Sequence, residues 1–452
     1  MEQIEQTSLY YLEKAPVPKA IAHMVVPMLL SFIATLIYNM TDAFYIGMLH
    51  NTPMMAAVTL ALPFSALLMA LGNLLGAGAG TYISRLLGEE KLEKARTACS
   101  VNFWSSLAAG ILFTAVCLPL LMPLLELLGA RGDTLLQTKN YIWIFVLGAP
   151  FVIASFSLEH TVRAEGASTV SMIGMLAGVL VNILLDPVFI FLLHMDIMGA
   201  ALASVLGNLV SAIWYAYYLQ RKSPVQSISL KAFKPSREIY RSIFKIGISA
   251  FLLDGFLVVT GLLFNNFAAF YGDSVVAGFG ISQRVVQIVD FIGMSFSMGV
   301  VPLIAFSYSA KRQERLTAII KTTALYMLGV TLGLSTLLFI FRAGIISLFS
   351  IDAYVLVIGQ KILAAQLCST LFAGMSSLFT GIFQAFGKGI QSTVMSVARG
   401  VVFIPILIIG HLLLALDGVI WAMTVSELLA CITGLLLFFT LRKKEALSEA
   451  AN

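Results

Sequence analysis

The chain has 452 residues, 59% of them hydrophobic and 11% charged, with a formal charge of +5 and a mean hydropathy of +0.94. A soluble domain carries about 25% charged residues, so most of this surface meets lipid, and a soluble enzyme is excluded. Nucleic-acid binding is excluded by position: the positive charges lie in short segments between long apolar runs, which is the pattern of topology signals.

Those runs far exceed the ~10-residue alternating strands of a membrane barrel, which leaves helices, the segments that satisfy their own backbone in lipid. The polar start, Met1 to Lys19, and the long first run argue against a removable leader. In chain order the predicted crossings are 20–48, 54–84, 98–124, 139–161, 168–193 and 199–219, then 246–270, 275–309, 320–341, 354–383, 391–414 and 418–441. The expected fold is all-α integral membrane, with twelve transmembrane helices in two pseudo-symmetric six-helix bundles.

With the N-terminus inside, the cytoplasmic side receives most of the 28 Lys and Arg, and only Arg131, Lys139, Arg342 and Lys361 fall outside. That is the positive-inside bias, and it places both termini in the cytoplasm. The polar, basic stretch around 221–245 is the expected boundary: a first lobe at 1–220, a linker at 221–245, a second lobe at 246–442 and a tail at 443–452. A shift of about 220 residues supports a repeat. It lays Arg163-Ala-Glu-Gly166 on Gln384-Ala-Phe-Gly387, Gly199 near Gly418, and the basic segment Arg85–Arg96 near Lys311–Lys321. The cysteines (Cys99, Cys117, Cys368, Cys431) sit in apolar stretches without a CxxC spacing and are expected to pack as small hydrophobes.

Ionisable groups inside spans cost at least ~2.5–3.5 kcal/mol each unless paired, so each marks a candidate site. On the first span Tyr38, Asn39 and Asp42 stand at i, i+1 and i+4; on the fifth, Asn182 and Asp186 are four apart, with Pro187 just beyond. Both carboxylates arrive in the outer half, where two facing acids do not both ionise readily. The pair suits a proton, and its oxygens also suit sodium; the alternative is a polar tie between the two helices. Glu159, near the cytoplasmic end of the fourth span, is either solvated or a lure for cationic substrate. On the eighth span Gln283, Asp290 and Met294 are the remaining candidate substrate contacts, Asp290 having no evident partner. Matching depths suggest two structural or gating ion pairs, Asp254 with Arg399 and Arg284 with Glu427. No Walker loop, HExxH or His/Cys cluster is present, so neither ATP, a metal nor a cofactor is expected, and the chain is not read as an enzyme.

Over nearly its whole length the chain resembles the multidrug and toxic compound extrusion (MATE) family, and within it the MepA-like exporters of bacteria. Tyr38-Asn-Met-Thr-Asp42, Gly78-Ala-Gly-Thr-Tyr-Ile-Ser-Arg-Leu-Leu-Gly88, Leu128-Gly-Ala-Arg-Gly132, Arg163-Ala-Glu-Gly166 and Asn182-Ile-Leu-Leu-Asp-Pro187 carry it in the first half. Gly299-Val-Val-Pro-Leu-Ile-Ala305, Gln384-Ala-Phe-Gly387 and Gly418-Val-Ile-Trp421 carry it in the second. The resemblance implies export of small lipophilic cations from a bacterial cell by a proton or sodium gradient. It implies cation coupling at Asp42 and Asp186 and a bend of the first helix at Pro27. Two departures stand out: Glu159 replaces the asparagine of archaeal members, and Leu257 stands where sodium-coupled members of the NorM type carry glutamate. A lipid-linked oligosaccharide flippase is the alternative within the fold; a major facilitator is disfavoured by Arg85-Leu-Leu-Gly-Glu-Glu-Lys91, which lacks that family's loop signature. The expected partners are the cations and membrane lipid, with the chain acting as a monomer.

Overall fold

The computed structural model describes residues 8–450 and contains no β-strand among them. The expected cytoplasmic N-terminus before Ser8 and the last two residues of the expected tail lie outside the described residues. The first half comprises α1 (Val17–Gly47), α2 (Thr52–Gly88), α3 (Leu92–Cys117), α4 (Gly132–Arg163), α5 (Ser168–Pro187) and α6 (Asp196–Arg221). The second comprises α7 (Arg237–Phe270), α8 (Asp273–Gly299), α9 (Gln313–Ile340), α10 (Ala353–Ala385), α11 (Gly389–Gly400) and α12 (Phe403–Ala450).

Local chemistry sets the helix ends. Asn51 accepts from the Met54 N–H at 3.2 Å to start α2, and Asp352 accepts from Tyr354 and Val355 at 2.8 and 3.0 Å to start α10, satisfying donors that have no partner within the helix. The expected third span, 98–124, is broken: α3 stops at Cys117, and Leu121–Leu127 forms a separate short helix. Pro119 lies between them and has no backbone N–H with which to continue the helical hydrogen-bond ladder.

Among the described residues eleven helical segments are long and apolar enough to cross a membrane, the last spanning Gly389–Lys444, 56 residues. Straight, that segment would extend about 84 Å, against ~30 Å of hydrocarbon. It is not straight. Ala415 sits at φ 50°, ψ −127°, and a side chain on Gly410 would meet the Gly418 carbonyl at 2.8 Å. Residues eight apart in a continuous helix are separated by about 12 Å, so the chain reverses at Ala415. The segment therefore makes the eleventh and twelfth crossings, as expected.

The chain divides into two compact units, one running to Phe251 and including Ala305–Lys311, the other containing Leu252–Ile304 and the chain from Arg312 onward. In the first, α4 packs against α2, α3 and α6, while α5 packs on α6 and α1. In the second, α10 packs against α8, α9 and α12, and α11 lies against α12. The packing of α4 on α2, α3 and α6 and of α5 on α6 recurs six helices later, the structural form of the repeat. In the first unit Gly72, Gly76 and Gly80 form one stripe of α2, where added methyl groups would come within 2.6–2.9 Å of Phe156, Ser157 and His160 on α4. Small residues four apart let two backbones approach where lipid supplies no hydrophobic drive.

The expected linker is a strap on the first unit rather than a free tether. Ser100 and Trp104 of α3 donate to the Ser229 and Ile228 carbonyls at 2.8 and 3.1 Å, Arg96 to that of Val225 at 3.3 Å, and Gln226 to that of Thr161 at 3.0 Å. Three of its carbonyls are thus satisfied from α3 and its Gln226 side chain satisfies one of α4, and the division between units falls inside α7.

Candidate functional site

In the first unit four helices converge on one polar cluster. The Tyr38 hydroxyl of α1 and the Ser204 hydroxyl of α6 are 3.0 Å apart, and the Asn182 amide of α5 donates to the same Ser204 oxygen at 3.2 Å. Asp186, one turn beyond Asn182, is fully buried. Neither of its oxygens has a hydrogen-bond partner among the described residues, nor has Asp42 Oδ1 or Asn182 Oδ1. Asp42 lies within electrostatic reach of Asp186, and Tyr141 of α4 lies within reach of both.

The result is a set of convergent acceptor oxygens with no donor aimed at them. Buried polar groups are ordinarily paired, and a buried carboxylate without a counter-charge is costly. Such a set accommodates a proton or a small cation. Helix periodicity explains its membership: Tyr38 and Asp42 are four apart and share a face, whereas Asn39, a residue on from Tyr38, is exposed. Asn39 is therefore not part of the cluster. Just past Asp186, Pro187 lacks the N–H that would continue the ladder, and the chain passes into a π-helix over Val188–Leu192. Pro27 is buried within α1, which continues through it.

Glu159 proves neither solvated nor free. Its carboxylate pairs with Arg163 one turn along α4, with both side chains largely buried. The Arg163 guanidinium also reaches Met28 Sδ at 2.9 Å and His160 Nδ1 at 3.1 Å, and His160 Nε2 lies 3.3 Å from Asn73 Oδ1. An acid whose charge is answered this closely is a poor lure for a second cation. Nearby, Glu165 is fully buried and accepts from Ser223 at 2.7 Å and Gln226 at 3.2 Å, while burial holds its carboxyl above the ordinary carboxylate range.

In the second unit Arg399 and Glu427, expected in separate pairs with Asp254 and Arg284, are each other's partners at 3.1 Å. Ser376 donates to Glu427 at 2.6 Å, and Arg399 to Ser377 at 2.9 Å. Asp290, expected to stand alone, lies within electrostatic reach of both members of the pair. Arg284 and Gln283 are exposed on α8, Met294 is half-buried there, and Asp254 is half-buried on α7. Residue counting gives depth along a helix, but the helix's rotation decides which side chain faces inward. A cavity of about 20 Å³ beside the pair, lined by Phe256, Thr260 and Ser426 among others, has room for about one water.

Sequence reading missed Ser204, Tyr141, Ser376 and Ser377. Neutral hydroxyls are common in membrane spans and carry no burial cost large enough to flag them; only the small-residue run from Gly199 into Ser204 hinted at close helix packing there.

The MatE family profile matches residues 27–188 and 254–409, one stretch in each half. The multidrug export protein MepA of Staphylococcus aureus (strain NCTC 8325 / PS 47) is 39% identical over 441 residues, covering 98% of both chains. Its counterpart in Staphylococcus haemolyticus (strain JCSC1435) is 38% identical over 448 residues, covering 99% of each. Among solved structures, a MATE protein in complex with MaL6 superposes with a TM-score of 0.90 at 24% identity, covering 98% of this chain and 99% of that one; at that identity the likeness speaks to fold. With the profile matched in both halves and the relatives aligned end to end, the chain belongs to the multidrug and toxic compound extrusion family of transporters.

Proposed function

We propose that this chain is a secondary exporter that moves small lipophilic cations out of a bacterial cell by alternating access, exchanging them for entering protons. The observation that carries the reading is the cluster of buried, donor-free oxygens of Asp42, Asp186 and Asn182. Two such carboxylates are tolerated in low dielectric only when a proton or cation accompanies them, so occupancy can alternate with the side to which the cluster opens. The named activity of the staphylococcal relatives, multidrug export, supports the transport class. Intramembrane acids outnumber intramembrane bases in the sequence, which favours cationic cargo. The basic bias of the loops supports cytoplasmic termini, and each chain carries both lobes, so it works as a monomer.

One charge crossing ~100 mV supplies about 2.3 kcal/mol, enough for roughly a 50-fold gradient at ~1.4 kcal/mol per decade. Sodium is the second reading, because the same oxygens suit it; Leu257, in place of a seventh-span glutamate, favours the proton. Efflux of an ethidium-like dye from everted vesicles, with proton and sodium gradients imposed separately, decides between them. A proton gradient alone should drive efflux. Strict sodium dependence, indifferent to a protonophore at clamped voltage, overturns that, and tighter binding of phosphate-bearing lipids than of the dye points instead to a flippase.

A further inference from the structure

The strap after α6 encloses, against the start of α3, a cavity of about 280 Å³ whose walls include Arg96 and Thr97 of α3 and Ser229, Lys231 and Lys234 of the strap. Glu93 also borders it, but its charge is answered by Arg96 Nη1 at 3.0 Å. The other functional nitrogen of Arg96 in use, Nε, binds the Val225 carbonyl. The ammonium groups of Lys231 and Lys234 have no partner among the described residues. The cavity thus presents two unanswered positive charges and part of a guanidinium, with hydroxyls beside them.

Its surroundings identify the kind of ligand. Leu230, next to Lys231 on the short helical turn Leu230–Ala232, is 65% exposed, which is costly in water and natural in the outer part of a lipid leaflet. Trp104 donates to the Ile228 carbonyl on the same strap, and indoles settle at the headgroup level. An exposed leucine followed closely by two lysines is an arrangement with which surface segments enter an anionic leaflet, the apolar side chain going in and the ammonium groups meeting phosphate. We propose that Lys231, Lys234 and Arg96 hold the phosphate of an anionic lipid of the cytoplasmic leaflet, fastening the strap to the membrane surface. The side of the membrane rests on the orientation argued above; the site itself does not.

The test uses the full chain purified in a neutral detergent and follows thermal unfolding against added short-chain phosphatidylglycerol, phosphatidylcholine or inorganic phosphate. Phosphatidylglycerol should stabilise the protein, and the other two should not. In the double variant Lys231→Gln/Lys234→Gln the half-saturating phosphatidylglycerol concentration should rise about tenfold or more. In Lys443→Gln/Lys444→Gln, which removes equal charge elsewhere, it should not change. Equal weakening in both variants would reduce the effect to diffuse electrostatics and overturn the site. Stabilisation by inorganic phosphate alone would overturn the lipid as its occupant, and no effect of phosphatidylglycerol on the unmodified chain would overturn both.

Discussion

Arg399 closes on Glu427 with two nitrogens, Nη2 at 3.1 Å and Nε at 3.2 Å from the same Oε1, and their side chains are only 12% and 8% exposed. The pair joins α11 to the descending arm of α12, across the reversal at Ala415. Ser376 and Ser377 bind its outer edges from α10.

Breaking a buried pair by removing one partner costs about 3–5 kcal/mol, because the other charge is left unanswered. Glu427→Leu and Arg399→Met should each lower thermal stability strongly, and the double variant should recover most of the loss. Losses that simply add would show that the two residues do not stabilise each other.

Asp42→Asn should leave folding and dye binding near normal and abolish gradient-driven efflux. The carboxamide matches the carboxyl in size but cannot release a proton, so the cycle stalls in one state. Expression, dye binding and efflux measured on the same preparation decide it, and near-normal efflux would move the coupling proton elsewhere.

Ser204 is the oxygen on which Tyr38 and Asn182 meet. Ser204→Ala strands both polar groups in the bundle and should cost about 1–3 kcal/mol. A cycle with Tyr38→Phe should show coupling of about 0.5 kcal/mol or more; additive losses would mean that Tyr38 has another partner.

Glu165 supplies a pH prediction. Its carboxyl is held above the ordinary range by burial, against the opposing hydrogen bonds from Tyr218, Ser223 and Gln226. A raised folded value means that the neutral acid is the favoured form. Its contribution to stability is therefore complete below the ordinary carboxylate range and lost as pH rises through the raised value. Across that window the melting temperature of the unmodified chain should fall relative to that of Glu165→Gln. Parallel melting curves would show that ionisation of Glu165 does not bear on folding.

The number of crossings, their order, the repeat and the nearness of Asp42 to Asp186 were legible in the sequence. Each follows from quantities that a linear chain carries: apolar run length against bilayer thickness, charge in the loops, and a fixed rise per residue. The strap was legible only as a polar, basic stretch. That it lies on α3 and α4 depends on where their donors point, and no composition records that.

The sequence alone determined that this chain crosses the membrane in helices and carries acids within them, because burial in lipid penalises polar groups whatever their neighbours. Tertiary packing decided which acids keep a partner. Rotation of α8, α11 and α12 gave Glu427 to Arg399 and left Arg284 exposed, and α6 brought Ser204 into the first-unit cluster. Depth is set by distance along a helix. Partnership is set by the angle around it and by the neighbour packed there, and both arise only when the helices are assembled.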